Sequence, residues 1–162
     1  MITDTELLFS DAQAIPNGTA VLSTNVYDTG PIGIPSMLGG AGTVPTSMTN
    51  AGLNLGSGDP LYGFILVEAQ GGTTPTALIT FESSAAAAMT SSTVHWTSGT
   101  LAAADYAVGT LLKFVLPPSA AYLQYISFRY DLGGTSPTAT VTAGLSRDVS
   151  VWEQHASGLN FT

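Results

Sequence analysis

The strongest constraint on the fold is a period-two alternation that recurs along the chain and is nowhere replaced by a helical period. Leu112, Phe114 and Leu116 fall on one side of an extended chain and Lys113 on the other. Ile126, Phe128 and Tyr130 share a side opposite Ser127 and Arg129. In a strand successive side chains point to opposite faces, so this pattern gives each run one face for a core. Runs rich in β-branched and aromatic residues, bounded by Gly, Pro, Asn and Ser, occupy 19–28, 60–69, 76–83, 92–98, 110–117, 121–132 and 138–152. The alanines of "SSAAAAMTSS" (83–92) and the segment "TLAAADYAVG" (100–109) have room for one helical turn at most. The pattern predicts an all-β chain, a jelly roll or β-sandwich of about eight antiparallel strands. Its 162 residues suit one domain spanning 1–162.

Three segments stand outside the strands. Residues 1–16 read as an extended N-terminal arm, with Leu7, Leu8, Phe9 and Ile15 as apolar anchors and Ser10-Asp11 as a turn in which the Asp11 carboxylate accepts backbone N–H groups. Residues 29–58 hold eight glycines, three prolines and no charge, which excludes a regular element. Yet Met37, Leu38 and their apolar neighbours make this long loop too apolar for a solvated linker. Residues 152–162 form a tail carrying Trp152 and Phe161. The similar hexapeptides "GGTTPT" (71–76) and "GGTSPT" (133–138) read as turn chemistry at hairpin ends, not as an internal duplication.

Charge limits the partners. Three Lys and Arg face eleven Asp and Glu, a net charge of −8, and only 9% of residues are charged. Phosphate contacts are made largely by Lys and Arg, so Lys113, Arg129 and Arg147 make nucleic acid a poor partner. A surface so rich in Thr, Ser, Ala and Gly suits packing against other protein. No cysteine is present, which excludes disulfides and thiolate metal sites. The acidic start "MITDTELLFS" lacks the basic region of a signal peptide, and no apolar run has the ~18–20 residues of a membrane span. The expectation is synthesis in the cytoplasm and no membrane partner.

Catalytic patterns are thin. His95 and His155 neighbour no nucleophile elbow, and "GLSRD" (144–148) lacks the closing glycine. Glu68 and Glu82 sit on neighbouring candidate strands, where they could face each other as a glycosidase pair. No carboxylate cluster has calcium-loop spacing, and no phosphate loop is present. The expected roles of the charges are structural, with Arg129 and Arg147 pairing with carboxylates such as Asp131, Asp148 or Glu68. No catalytic, cofactor or metal residue is expected.

Three segments, in order, carry a resemblance: "LLFSDAQAI" (7–15), "GDPLYGFILVEA" (58–69) and "LPPSAAYLQYISFRYDLGGTSPTATVTAGLSRDV" (116–149). Together they resemble the capsid cement proteins of the Bordetella-phage type, small virion proteins of tailed phages. Gln124 stands where that pattern commonly has a basic residue. The resemblance implies a jelly roll on the outer surface of an icosahedral shell. It implies a clamp between neighbouring major capsid subunits, homo-oligomeric as a dimer or a trimer, with no enzymatic site. The expected contacts are Leu7, Leu8, Phe9, Asp11, Ile15, Met37, Leu38, Trp152 and Phe161. The alternative is a carbohydrate- or receptor-binding virion module with Trp96, Tyr62, Tyr106 and Tyr125 as its aromatic platform. A hydrolase using His95 or Glu68/Glu82 ranks third.

Overall fold

The computed structural model describes residues 8–17, 20–29, 61–117 and 122–146. Seven antiparallel strands form one continuous sheet: β1 (Leu8–Ile15), β2 (Val21–Leu22), β3 (Tyr27–Asp28), β4 (Tyr62–Ser84), β5 (Thr93–Ala102), β6 (Leu111–Val115) and β7 (Tyr125–Ser146). No described residue is helical. The all-β expectation holds, as a single folded antiparallel sheet consistent with a β-sandwich or jelly-roll type fold. The strand count differs for a specific reason. The runs expected at 60–69 and 76–83 are one strand, β4, and those at 121–132 and 138–152 are one strand, β7.

β4 and β7 pair along their whole length, from Tyr62 opposite Ser146 to Ser84 opposite Tyr125. The sheet folds at their middle. On one side of the bend the order is β1, β7 (139–146), β4 (62–70), β6; on the other it is β2 and β3, β7 (125–132), β4 (76–84), β5. Each long strand thus serves both layers, giving nine strand passages from seven strands, with the two short strands β2 and β3 sharing one edge. The layers meet through their aromatic side chains. The Phe9 ring lies 6.2 Å from Phe81 and 5.4 Å from Phe128, both across the sandwich. Phe114 stacks on Trp96 at 3.9 Å and meets Phe81 at 6.0 Å. Ile65, Val67, Ile79, Ile126, Val141 and Leu145 complete one buried cluster.

The bend is where the two hexapeptides lie, which corrects their reading as hairpin ends. They sit in mid-strand and oppose each other: Gly71 faces Thr138, Thr73 faces Thr135 and Thr76 faces Gly133. Gly72 and Gly134 adopt φ of +108° and +110°, and Thr74 and Ser136 follow at +48° and +49°. A Cβ on Gly72 would lie 2.8 Å from the Ser136 carbonyl oxygen, and one on Gly134 would lie 2.6 Å from that of Thr74. Proline in a strand interior removes a ladder donor, and bulges are where it is tolerated. Pro75 and Pro137 occupy the register shifts of this crossing.

The likeness extends beyond the hexapeptides. Their spacing is 133 − 71 = 62 residues, and the same offset relates the bulges on either side. β5 is bulged opposite the Phe81–Glu82 step of β4, and β1 is bulged opposite the Ala143–Gly144 step of β7, with 143 − 81 = 62. The fold has an approximate internal two-fold that the sequence analysis did not expect.

The N-terminal segment is also corrected. Residues 8–15 are an integral strand and not an arm reaching outward. Phe9 and Ile15 are 1% and 2% exposed, inside the core of their own chain. The group that pins the bulge is Ser10, not Asp11: Ser10 Oγ donates to Gln13 Oε1 at 2.7 Å and lies 2.8 Å from the Tyr130 hydroxyl. Gln13 Oε1 also accepts from Thr24 N, and Gln13 Nε2 donates to Leu22 O. Ser10 and Gln13 are thus bonded into the sheet.

Candidate interaction surface

The side chains capable of chemistry are drawn into the frame. Glu82, on the outer side of β4, is 4% exposed. It accepts from Thr80 Oγ1 at 2.6 Å, Ser92 Oγ at 2.5 Å and Arg129 Nε at 3.0 and 3.2 Å. Burial pushes the Glu82 carboxyl up, but the donors Ser92, Thr80 and Arg129, with the Arg129 charge, outweigh it and hold the group below the usual carboxylate range. Arg129 Nη2 donates to Met89 O at 3.3 Å, tying the β4–β5 connection over this face. Arg129 therefore pairs with Glu82 and not with Asp131 or Glu68 as expected; Arg147 and Asp148 lie outside the described residues.

Glu68 and Glu82 do not form a pair. They lie on the same strand, on opposite sides of the 71–76 bend, and Glu68 accepts from Thr142 Oγ1. His95 on β5 does meet a hydroxyl: Ser83 Oγ lies 2.6 Å from His95 Nε2. Leu123 N donates to that same oxygen at 3.0 Å, so the Ser83 hydroxyl joins β4 to both β5 and the segment leading into β7. Ser83 is fully buried, and His95 packs on the Tyr122 ring at 4.3 Å. Burial lowers the His95 pKa below its ordinary value. The arrangement suits a structural tie among β4, β5 and the entry to β7, with the Ser83 hydroxyl buried at its centre. His155 lies outside the described residues. Among the described residues no group of three His, Cys, Asp or Glu could hold a metal, and no helix is long and apolar enough to cross a membrane.

The aromatic residues of the binding-module alternative are not brought together. Tyr106 is 1% exposed and belongs to the core, and Trp96 lies flat on Phe114. Tyr62 and Tyr125 begin β4 and β7, at opposite ends of the long ladder. Gln124 donates to Asp28 Oδ1 at 3.0 Å, so a neutral amide makes a carboxylate contact there.

What the surface does present is a rim. β5 and β6 both pair with β4, on the side of the sandwich away from β1, β2 and β3. Of the four large hydrophobic residues exposed among the described ones, Val94 lies on β5, Val115 on β6 and Val108 in the connection between them. Tyr27 on β3 is the fourth. β5 carries no Asp, Glu, Lys or Arg, while β1 has Asp11, β3 has Asp28 and β6 has Lys113. Natural edges are commonly protected by charge; among the described residues the β5 edge has bulges and no charged side chain of its own.

Of the expected contact residues, Phe9 and Ile15 are inside and unavailable to a neighbour. Leu8 is half-buried and Asp11 exposed on β1. Leu7, Met37, Leu38, Trp152 and Phe161, with the loop from residue 30 to 58 and the tail 152–162, lie outside the described residues. The valines of the β5–β6 rim were missed. In the sequence each is one apolar letter inside a strand-like or turn-like run, and only the strand pairing reveals their common side.

A family model described as Bbp16 matches residues 9–149. No curated protein matches the chain.

Proposed function

The chain belongs to the Bbp16 family, a family of Bordetella phage proteins consistent with a role in the virion, and from that premise we propose that it is a shell-stabilising protein. It binds the outside of an icosahedral phage shell and clamps neighbouring major capsid subunits. The observation that supports this reading is the β5–β6 rim. Among the described residues Val94, Val108 and Val115 are exposed on or near β5, which carries no charged residue, while Glu82, Arg129, Ser83 and His95 are bonded within the frame.

The contact chemistry follows from that rim. Apolar burial contributes ~25 cal/mol per Å², and an edge strand adds backbone hydrogen bonds to an extended partner segment. Specific interfaces bury more than ~1,000 Å². A protein that binds the lattice but not the free subunit stabilises the lattice by mass action. At a free concentration ~1,000 times Kd each site contributes ~4 kcal/mol. Repetition over many sites makes opening of the shell costly although each contact is modest.

The test is decoration. Shells lacking the protein are mixed with the full chain, or with a Val94→Asp, Val115→Asp variant, and sedimented. Wild type saturates a fixed number of sites. The variant, with unchanged thermal unfolding, binds at least ~10-fold more weakly, ~1.4 kcal/mol per tenfold. Failure of the wild-type chain to co-sediment overturns the shell reading. Equal binding by the variant moves the contact away from this rim.

A further inference from the structure

Every strand ladder among the described residues joins one half of the chain to the other. β1, β2 and β3 each pair with β7, and β5 and β6 each pair with β4. The sixth ladder joins β4 to β7. Among the described residues no strand within 8–84 pairs with another in that span, and none within 93–146 does so. Each half is the template for the other, and the described chain crosses between them once, through residues 85–92.

We propose that two copies of this chain exchange halves, with residues 8–84 of one copy pairing with residues 93–146 of the second. The exchanged dimer contains the same six ladders and the same aromatic core as the closed chain. The two forms differ in the connection and in the entropy of association. The connection favours opening in one respect: Met89 and Ser91 are held at φ of +53° and +56° without being glycine. Short connections under strain promote exchange between copies. Extending residues 85–92 relieves both positions. What is lost is the closed turn, including Met89 N to Ala86 O, Ala86 N to Ser84 Oγ, Ser84 Oγ to Thr90 O and Arg129 Nη2 to Met89 O, and the burial of the Met89 side chain; the Ser92 bond to Glu82 must re-form from the other copy.

Timing sets when exchange occurs. A folded chain must break all six ladders to open, so folded copies do not exchange on mixing. During folding, the half made first has no internal ladder and waits for a complementary half. That half can come from its own chain or from a neighbour, and the outcome depends on concentration.

The absence of cysteine makes the test direct. Leu78 on β4 and Thr100 on β5 are ladder partners. Opposed Cα atoms in antiparallel strands lie ~4.5–5.5 Å apart, within the ~4.4–6.8 Å range of disulfides. One full-length chain carries Leu78→Cys and a second carries Thr100→Cys. They are unfolded together, refolded at increasing concentration and oxidised. Exchange gives a dimer linked by a disulfide between unlike chains, in a fraction that rises with refolding concentration and persists on dilution. Mixing the two chains after folding gives none. The single chain bearing both substitutions is the control, and it closes an internal disulfide. A refolded population that elutes only as monomer overturns the proposal. So does a dimer that lacks the cross-link while the control closes. Neither result bears on shell binding, which is read by sedimentation with the unmodified chain.

Discussion

Replacing Arg129 with Ala tests whether the Glu82 cluster is a buried structural centre or an ordinary surface pair. The substitution removes two hydrogen bonds to Glu82 and one to Met89 O. It leaves a carboxylate whose side chain is 5% exposed, with only the Thr80 and Ser92 hydroxyls as donors. Breaking a buried pair by removing one partner costs ~3–5 kcal/mol, because the remaining charge is uncompensated. Arg129 itself is 28% exposed, so water partly replaces it and a loss just below that range, ~2–3 kcal/mol, is expected. Urea unfolding at pH 7 measures this. The pH dependence gives an independent check. The folded Glu82 pKa lies below its ordinary 4.5, so its contribution is present above that pH and is lost as pH falls through the folded value. In the variant the lowering influence of Arg129 is gone. The difference between the two proteins therefore shrinks below about pH 4.5. Adding Glu82→Gln to the variant recovers part of the loss at pH 7, since no charge is then left behind. A loss under ~1 kcal/mol, constant between pH 7 and pH 4, is the behaviour of an exposed pair and refutes the reasoning.

Two further outcomes follow from the packing. Phe9→Ala costs ~3–5 kcal/mol in the same urea assay, because its ring is locked against Phe81 and Phe128; a loss below ~1 kcal/mol means that β1 is peripheral. Gly72→Ala and Gly134→Ala each cost more than Gly99→Ala by thermal or urea unfolding. The first two put a Cβ against a carbonyl at φ near +110°, while a Cβ at Gly99, φ +66°, meets nothing within 4 Å and bears only the ~1–2 kcal/mol left-handed penalty.

The face assignments were legible in the sequence because they depend on alternation alone. Phe114, Leu116, Ile126, Phe128 and Tyr130 are buried as the period required, and Lys113 is exposed. Ser127 shows the limit. It sits on the expected outer face yet is fully buried, because Ser23 Oγ packs on it at 2.7 Å. The continuity of β4 and β7 was not legible either. Gly-Gly and Thr-Pro or Ser-Pro ordinarily end a strand, since they leave backbone groups without partners. Here each bend is matched by the other, 62 residues away, and no local window contains both. The interaction surface was hidden for a similar reason. Phe9 and Ile15 read as anchors of an arm because Ser10-Asp11 between them read as a turn, and the bonds that instead hold Ser10 and Gln13 in the sheet come from Tyr130 and from residues 22–24. Val94, Val108 and Val115 gain a common side only through shared pairing with β4.

The full-length pairing of β4 with β7 has a mechanical meaning. Tension applied along the two strands in opposite directions loads the ladder in shear, so many hydrogen bonds must give way together. Tension applied across one end peels them apart in turn, at much lower force. The fold at residues 71–76 and 133–138 divides that ladder into two spans set in different layers. A sideways pull that begins to unzip one span must change direction at the crossing before it reaches the other. The close-fitting glycines and prolines at that crossing would therefore stop a tear that starts at either end of the ladder.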